Sequence, residues 1–309
     1  MLSERIKYFN ENISAEMFIR ECETDFESQL DAAIGEIKNR LSVQPDIRII
    51  TLSGPTCSGK TTTAGKIIAA LGEMGMRIFS VSLDDFFKSV DADLDSYSES
   101  NELLDLDSVD AIDVEYLRKF ISGVFSRERV YLPYFDFHIQ TCTGYRAVDS
   151  GRYDIILLEG IQAVYPAVRA LLRGHHFISL FTNAASGVAI GDVYFDCREV
   201  RFMRRILRDN LFRSASVEFT VQIWRNVVAN EETSILPGEK YADISVDSTL
   251  AYEPCVIKEP LLRLLDKVKE DYPLYPAVKA IADKLKLIPS LPSDLVPDRS
   301  VFREFIGSK

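Results

Sequence analysis

No stretch of the chain comes near the run of about 18 apolar residues that a membrane-crossing helix requires, so a membrane span is excluded from the reading. The opening segment MLSERIKYFNEN also lacks the apolar core of an export signal, and a soluble, cytoplasmic protein is expected. Cysteine is scarce: Cys22, Cys57, Cys142, Cys197 and Cys255 are scattered with no C-x-x-C spacing. That pattern excludes a disulfide framework or a cysteine zinc site and reads as reduced thiols. Positive charge is short as well, with 36 basic residues against 47 acidic ones and a net charge of −11. Phosphate-backbone binding needs clustered positive charge, so nucleic acid is not expected as a bulk partner. Histidine offers no partner pattern at His175 and His176, which read as structural. There is no internal repeat and no low-complexity segment. The oligomeric state is left open, a homo-oligomer included.

What is present begins with size. At 309 residues and 47% hydrophobic, the chain can bury one large core with appendages, or two modest domains. Its most informative segment is SGPTCSGKTTTAGK, residues 53–66. Ahead of it, Ile47-Arg48-Ile49-Ile50-Thr51-Leu52 reads as a buried strand. Behind it, Ala64, Ile67, Ile68 and Leu71 recur at helical spacing. Gly54-Pro55-Thr56-Cys57-Ser58-Gly59-Lys60-Thr61 fits G-x-x-x-x-G-K-[ST] between that strand and helix, with Thr62 following in the first helical turn. The glycines let backbone N–H groups converge on phosphate oxygens, and the helix N-terminus adds partial positive charge. Lys60 then reaches the terminal phosphates and the Thr61 hydroxyl can ligate Mg²⁺. A nucleoside triphosphate, ATP or GTP, is the expected ligand.

The rest of the chain alternates strand and helix. Residues 14–42 suit one or two helices, with Phe18, Ile19, Cys22, Phe26, Leu30 and Ile34 near one face. MRIFSVSLDD (76–85) reads as a second strand that ends in Asp84 and Asp85, and YDIILLEGI (153–161) as a strand covered on both faces. Residues 91–108 read as an acidic, Ser-rich loop, 109–125 and 164–173 as helices, and VYLPYFDF as an aromatic strand or loop. HHFISLF and YADISVDS read as further strands, and 258–270 and 275–287 as helices. The expected fold is α/β, a doubly wound, mainly parallel P-loop sheet with helices on both faces. Such sheets bind ligands beyond the carboxyl ends of their strands, where Gly54, Asp84 and Glu159 all fall. The expected organisation is an N-terminal helical extension (1–45), a P-loop core with a lid at about 197–240 (46–250), and a C-terminal helical extension packed on the core (251–309).

REVRFMRRILRDNLFR (198–213) places Arg201, Arg204 or Arg205, and Arg208 at helical spacing. They read either as a solvated amphipathic face or as a lid whose guanidinium groups close over a transferring phosphoryl. One of Asp84 and Asp85 can face the cleft as base or metal partner; the other reading is a turn or cap. Asp85, one position along the strand, is expected on the opposite face. Glu159 stands where a metal-binding acid follows a buried strand. Asp105, Asp107, Asp110 and Asp113 read as a solvated run or as a source of one carboxylate for sugar hydroxyls. Phe86, Phe87, Tyr134, Phe135 and Phe137 read equally as core or as a clamp for a planar base, with His138 beside them as a polar reader.

These motifs carry a resemblance. GPTCSGKTT, VSLDDFFKS, LDSVDAIDVEYL, YLPYFDF, DIILLEGI and RRILRD with the later YADI resemble, in order and spacing, uridine kinases of the phosphoribulokinase/uridine kinase family. AYEPCVIKEPLL and VPDRSVFREFIG are similar to a bacterial nucleoside kinase subgroup of it. The resemblance implies ATP-dependent phosphorylation of a nucleoside 5′-hydroxyl, on uridine or cytidine first. It implies Asp84 as base and metal neighbour, Glu159 and Thr61 as metal holders, and Asp107 on the ribose. Phe87, Phe135 and His138 would meet the base. Arg201, Arg204, Arg208 and Arg213 would serve the phosphates, and Lys60, Arg204 and Arg208 would be catalytic groups. The chain departs from that pattern at Ala215, where a second lid arginine is usual, at Phe87, where tyrosine is usual, and in the long segment HIQTCTGYR. Another acceptor, such as a sugar phosphate or a pantothenate-like alcohol, stays open, as does a non-catalytic nucleotide-binding regulator.

Overall fold

The computed structural model describes residues 5–89, 109–137 and 139–307. In chain order its elements are β1 (Ile6–Tyr8), α1 (Ala15–Val43), β2 (Ile49–Ser53), α2 (Lys60–Gly72) and β3 (Ile78–Ser82). Then come α3 (Val114–Phe125), β4 (Arg129–Asp136), β5 (Thr141–Asp149), β6 (Ile155–Glu159), α4 (Pro166–Leu171) and β7 (Phe177–Asn183). β8 (Gly187–Ile190), β9 (Val193–Phe195), α5 (Cys197–Arg213) and α6 (Val217–Asn230) follow. The chain ends with β10 (Ile244–Asp247), α7 (Glu253–Leu265), α8 (Tyr275–Lys286) and α9 (Arg303–Ile306).

Five strands form one parallel sheet in the order β10-β7-β2-β6-β3, with the phosphate-loop strand β2 at its centre. The two-residue period of a strand divides its apolar side chains between two cores. Ile50, Leu52, Ile155, Leu157, Ile178 and Leu180 pack with residues of α1, α2, α5 and α7. Ile49, Ile156, Leu158 and Phe181 pack with residues of α3 and α4 on the other face. Covering both faces explains why these strands read as continuous apolar runs.

α1 is one helix of 29 residues, capped by the Ser14 hydroxyl, which accepts from the Met17 N–H at 3.3 Å. It buries Phe18, Ile19, Phe26, Leu30 and Ile34, as the periodicity predicts, together with Ala33 and Ile37. The first described residues are not helical: β1 pairs in parallel with β8, and β9 completes a small three-stranded sheet. The aromatic segment is strand β4, paired antiparallel with β5, so most of the segment after FDF is sheet and not loop.

Candidate active site

The phosphate loop leaves β2 at Ser53 and enters α2 at Lys60. Its two glycines are required by the packing. A Cβ at Gly54 would run into the Thr182 carbonyl of β7, and Gly59 caps α2 with φ +81°, a left-handed conformation other residues rarely adopt. Lys60 folds back over the loop, donating to the Gly54 carbonyl at 3.0 Å and the Pro55 carbonyl at 2.9 Å. Burial lowers its pKa, with the Glu304 and Asp84 charges pulling the other way. Thr61 is exposed at the mouth, whereas Ser58 Oγ and Thr63 Oγ1 are buried without a hydrogen-bond partner.

The acids assemble at the carboxyl edge of the sheet. Glu159 ends β6, in register with Leu52 of β2 on one side and Ser82 of β3 on the other. Asp84 and Asp85 do not close the strand, as their sequence reading has it. β3 stops at Ser82, whose hydroxyl accepts from the Asp84 N–H at 3.3 Å and starts a 3₁₀ turn over Leu83–Phe86. Strand alternation therefore has no bearing on which of the two faces the cleft. Burial raises the Asp84 pKa, opposed by Lys60, by a hydrogen bond from the Gln162 side chain and by Arg213. Burial also raises Glu159, and Asp84 adds to that shift while Lys60 opposes it. Asp85 is shifted up by burial and by the charge of Asp84.

These oxygens fit a Mg²⁺ ion. The described residues contain no group of three His, Cys, Asp or Glu that could cage a metal. Mg²⁺ commonly needs only one or two carboxylates when substrate phosphates complete its shell. Thr61, Glu159 and Asp84 are a set of that size and chemistry.

α5 runs beside the loop and sends its arginines to different places. Arg201 donates to Glu231 at 2.6 Å and to the Thr56 carbonyl at 3.5 Å, and the same Glu231 oxygen accepts the Thr56 N–H at 3.1 Å. Arg204 forks onto Glu253 at 2.7 and 2.6 Å. It also donates to the Cys57 carbonyl at 3.0 Å and the Ser248 carbonyl at 2.7 Å. Arg204 and Glu253 are 0% and 1% exposed. Burial opposes the charge of Arg204, and Glu253 more than offsets it, so its pKa is raised. Arg204 thus stands apart from the open, phosphate-facing set in which the sequence reading groups it. Arg205 and Arg208 instead reach the Thr56 hydroxyl, at 3.2 and 3.4 Å, and Arg208 Nε is buried without a partner. Arg213 pairs with Asp209 at 3.5 Å and remains exposed.

Phe87 and Phe135 are buried in the second core, their ring centroids 5.6 Å apart and their planes at 75°. Phe137 touches both and is half exposed. Asp107 and His138 lie outside the described residues.

Four acids and amides at the site escape sequence reasoning: Glu231, Glu253, Gln162 and Glu304. Glu231 opens a short π-helical segment, Glu231–Ile235, of a kind that frequently marks functional sites. Its partner lies 30 positions away, and that of Glu253 lies 49 away. Local periodicity carries no signal at such separations. Glu304 lies in α9 and accepts from the Thr62 hydroxyl at 3.1 Å.

A central parallel sheet, a glycine-flanked loop with its lysine on the following helix, and acids at the end of the neighbouring strand β6 and on the turn after β3 define a P-loop NTPase of the kinase type. The model of the Phosphoribulokinase / Uridine kinase family matches residues 49–252, and the chain belongs to that family. It is 30% identical over 203 residues to the chloroplastic uridine/cytidine kinase of Arabidopsis thaliana, a match covering 64% of this chain and 37% of that one. It is 25% identical over 199 residues to a uridine kinase of Ureaplasma parvum, covering 64% of this chain and 86% of the relative. The chain thus matches little more than a third of the plant relative's length. Among solved structures, a possible uridine kinase from Bacillus stearothermophilus aligns with a TM-score of 0.47 at 19% identity, over 72% of this chain and all of that one.

Proposed function

We propose that the chain phosphorylates the 5′-hydroxyl of a nucleoside, uridine or cytidine first, with ATP or GTP as donor. The observation that carries this reading is the meeting of Lys60, Asp84 and Glu159 at one edge of the sheet. Lys60 and Asp84 feel each other's charge there, which a phosphoryl acceptor site needs. The family and the names of the relatives point to the same acceptor class.

In this reading Gly54 to Thr62 cradle the donor phosphates through backbone N–H groups, and Lys60 turns from its loop carbonyls to the terminal phosphates. Thr61 and Glu159, with Asp84 beside them, would hold Mg²⁺, which neutralises phosphate charge when bound. Asp84 accepts the proton of the acceptor hydroxyl as its oxygen bonds to the γ-phosphorus, and the bond to the bridging oxygen breaks to release the nucleoside diphosphate. Lys60 and Arg213 favour the ionised carboxylate this task requires. Arg205 and Arg208, which reach the Thr56 hydroxyl, and the exposed Arg213 stabilise the transferring group. Arg201 and Arg204 act as positioning residues that hold Thr56 and Cys57 in place.

One observation favours keeping a second acceptor class in the test. Phe87 and Phe135 bury their rings against each other, leaving Phe137 as the more open ring of the cluster. The test is nucleoside diphosphate release with Mg²⁺ and ATP across uridine, cytidine, purine nucleosides, pentose phosphates and pantothenate. Uridine or cytidine is expected to give the highest kcat/KM, with none in Lys60→Ala. Turnover on a sugar phosphate or pantothenate alone would overturn the acceptor assignment. ATP binding without release on any acceptor would make the chain a nucleotide-binding regulator.

A further inference from the structure

The C-terminal turn stands against the phosphate loop. A Cβ at Gly59 would meet Val301 Cγ2 at 2.5 Å and Ser248 Cβ at 3.8 Å, so these two side chains wall the loop where α2 begins. Phe302 and Phe305 are fully buried, and the Arg204 guanidinium lies 4.8 Å from the centroid of the Phe305 ring. Arg303 ties the segment to itself, donating to the carbonyls of Ser293 at 3.1 Å, Pro297 at 3.3 Å and Gly307 at 3.2 Å. The backbone on both sides of Glu304 is therefore fixed.

Glu304 itself is only partly buried, and one of its oxygens accepts from the Thr62 hydroxyl in the first turn of α2. That turn is where a phosphate loop receives the inner phosphates, while Lys60 serves the terminal ones. A carboxylate held there cannot bind a phosphate, since both are anions. It can accept hydroxyl protons, as it does from Thr62. The next chemical unit outward from an α-phosphate is the sugar, whose hydroxyls are such donors.

We propose that Glu304 is a specificity-determining residue for the phosphoryl donor. Its carboxylate accepts a ribose hydroxyl of the bound nucleotide, so the C-terminal turn selects ribonucleoside triphosphates over their deoxy counterparts. This rests on the reading of the loop as a nucleoside triphosphate site. A hydrogen bond to a charged acceptor is worth about 10- to 100-fold in affinity.

The test is calorimetric binding of ATP, 2′-deoxy-ATP, 3′-deoxy-ATP and inorganic tripolyphosphate, each with Mg²⁺, to the full chain and to Glu304→Ala and Glu304→Gln. The intact chain is expected to bind ATP about 10- to 100-fold more tightly than at least one deoxynucleotide. Glu304→Ala should close that gap by weakening ATP alone. Glu304→Gln, which keeps the shape and a neutral acceptor and guards against a folding defect, should narrow it. Tripolyphosphate affinity should not fall in either variant. Equal affinity for ATP and both deoxynucleotides in the intact chain would overturn the inference, as would a gap that survives in Glu304→Ala. Equal tightening of all four ligands in Glu304→Ala would make the carboxylate a competitor for phosphate and overturn it too. An intact chain that binds tripolyphosphate and ATP without reading the sugar loses this inference alone. One that binds neither loses the phosphate-loop reading with it.

Discussion

Arg204 and Arg205 are neighbours in sequence and each bonds a buried acid, yet they meet the phosphate loop at different groups. Successive helical residues project about 100° apart, and on α5 that turn separates the Glu253 pocket from the Thr56 hydroxyl. Arg204 makes two hydrogen bonds to one carboxylate and further ones to the Cys57 and Ser248 carbonyls, out of reach of water. Arg205 and Arg208 both reach the Thr56 hydroxyl and are backed by the buried Asp209. The same residue type on one helix thus serves two purposes. Arg204, with Glu253 to itself and its other bonds on the Cys57 and Ser248 carbonyls, holds the loop's shape, whereas Arg205 and Arg208 share Asp209 and turn a second nitrogen to the Thr56 hydroxyl.

The largest effect that could break this comparison is in catalysis. Arg208→Ala should lower kcat by about 10³-fold or more, as loss of a phosphate-clamping arginine does, while thermal stability changes little. If stability falls and turnover survives, Arg208 belongs with the buried set. The next effect is in stability. Arg204→Ala leaves Glu253 buried without its cation and should cost about 3–5 kcal/mol in denaturant unfolding. An unchanged midpoint would mean the pair is solvated in solution and does not clamp the loop.

Asp84 and Asp85 offer the same contrast one residue apart. Asp84→Asn removes the proton acceptor and should lower kcat by about 10²-fold or more, with nucleotide binding retained by calorimetry. Asp85→Asn should be mild. A reversal would move the base to Asp85 and sharpen the description of the 3₁₀ turn. The smallest effect concerns Glu23, a buried acid without an arginine, which bonds the Tyr252 and Ser300 hydroxyls. Burial raises its pKa above the ordinary 4.5, so the folded chain holds that proton more tightly than the unfolded one. The stability this contributes is full below pH 4.5 and is lost as pH rises through the raised value. Glu23→Gln should remove that slope, at most about 1.4 kcal/mol per pH unit. An identical pH profile in the variant would contradict the shift.

The legible parts of the chain are those with local causes. The strand–loop–helix unit follows from residues 47–74, and the apolar runs of β6 and β7 mark strands covered on both faces. α1 follows from its 3.6-residue periodicity. What stays hidden depends on distant partners or on a single cap. The Ser82 hydroxyl ends β3 three residues early and puts Asp84 on a turn. Helical spacing places Arg201, Arg204 or Arg205, and Arg208 on one surface, but not the acids that meet them from Glu231 and Glu253. The pairing of β4 with β5 joins segments that the sequence reads as aromatic strand and loop. Glu304 reaches Thr62 across 242 positions, and no periodicity announces such a contact.

The division of labour on α5 is tested most directly by turnover in a double variant, Arg204→Met with Glu253→Leu, beside Arg208→Ala. Replacing both members of a buried ion pair with apolar residues of similar volume is often neutral for stability, so the fold should survive. The account predicts that the double variant, which loses a positioning arginine, keeps kcat within about 10²-fold of the intact chain, set against the loss of about 10³-fold or more in Arg208→Ala. A folded double variant as inactive as Arg208→Ala would erase the division between the two arginines and contradict the account.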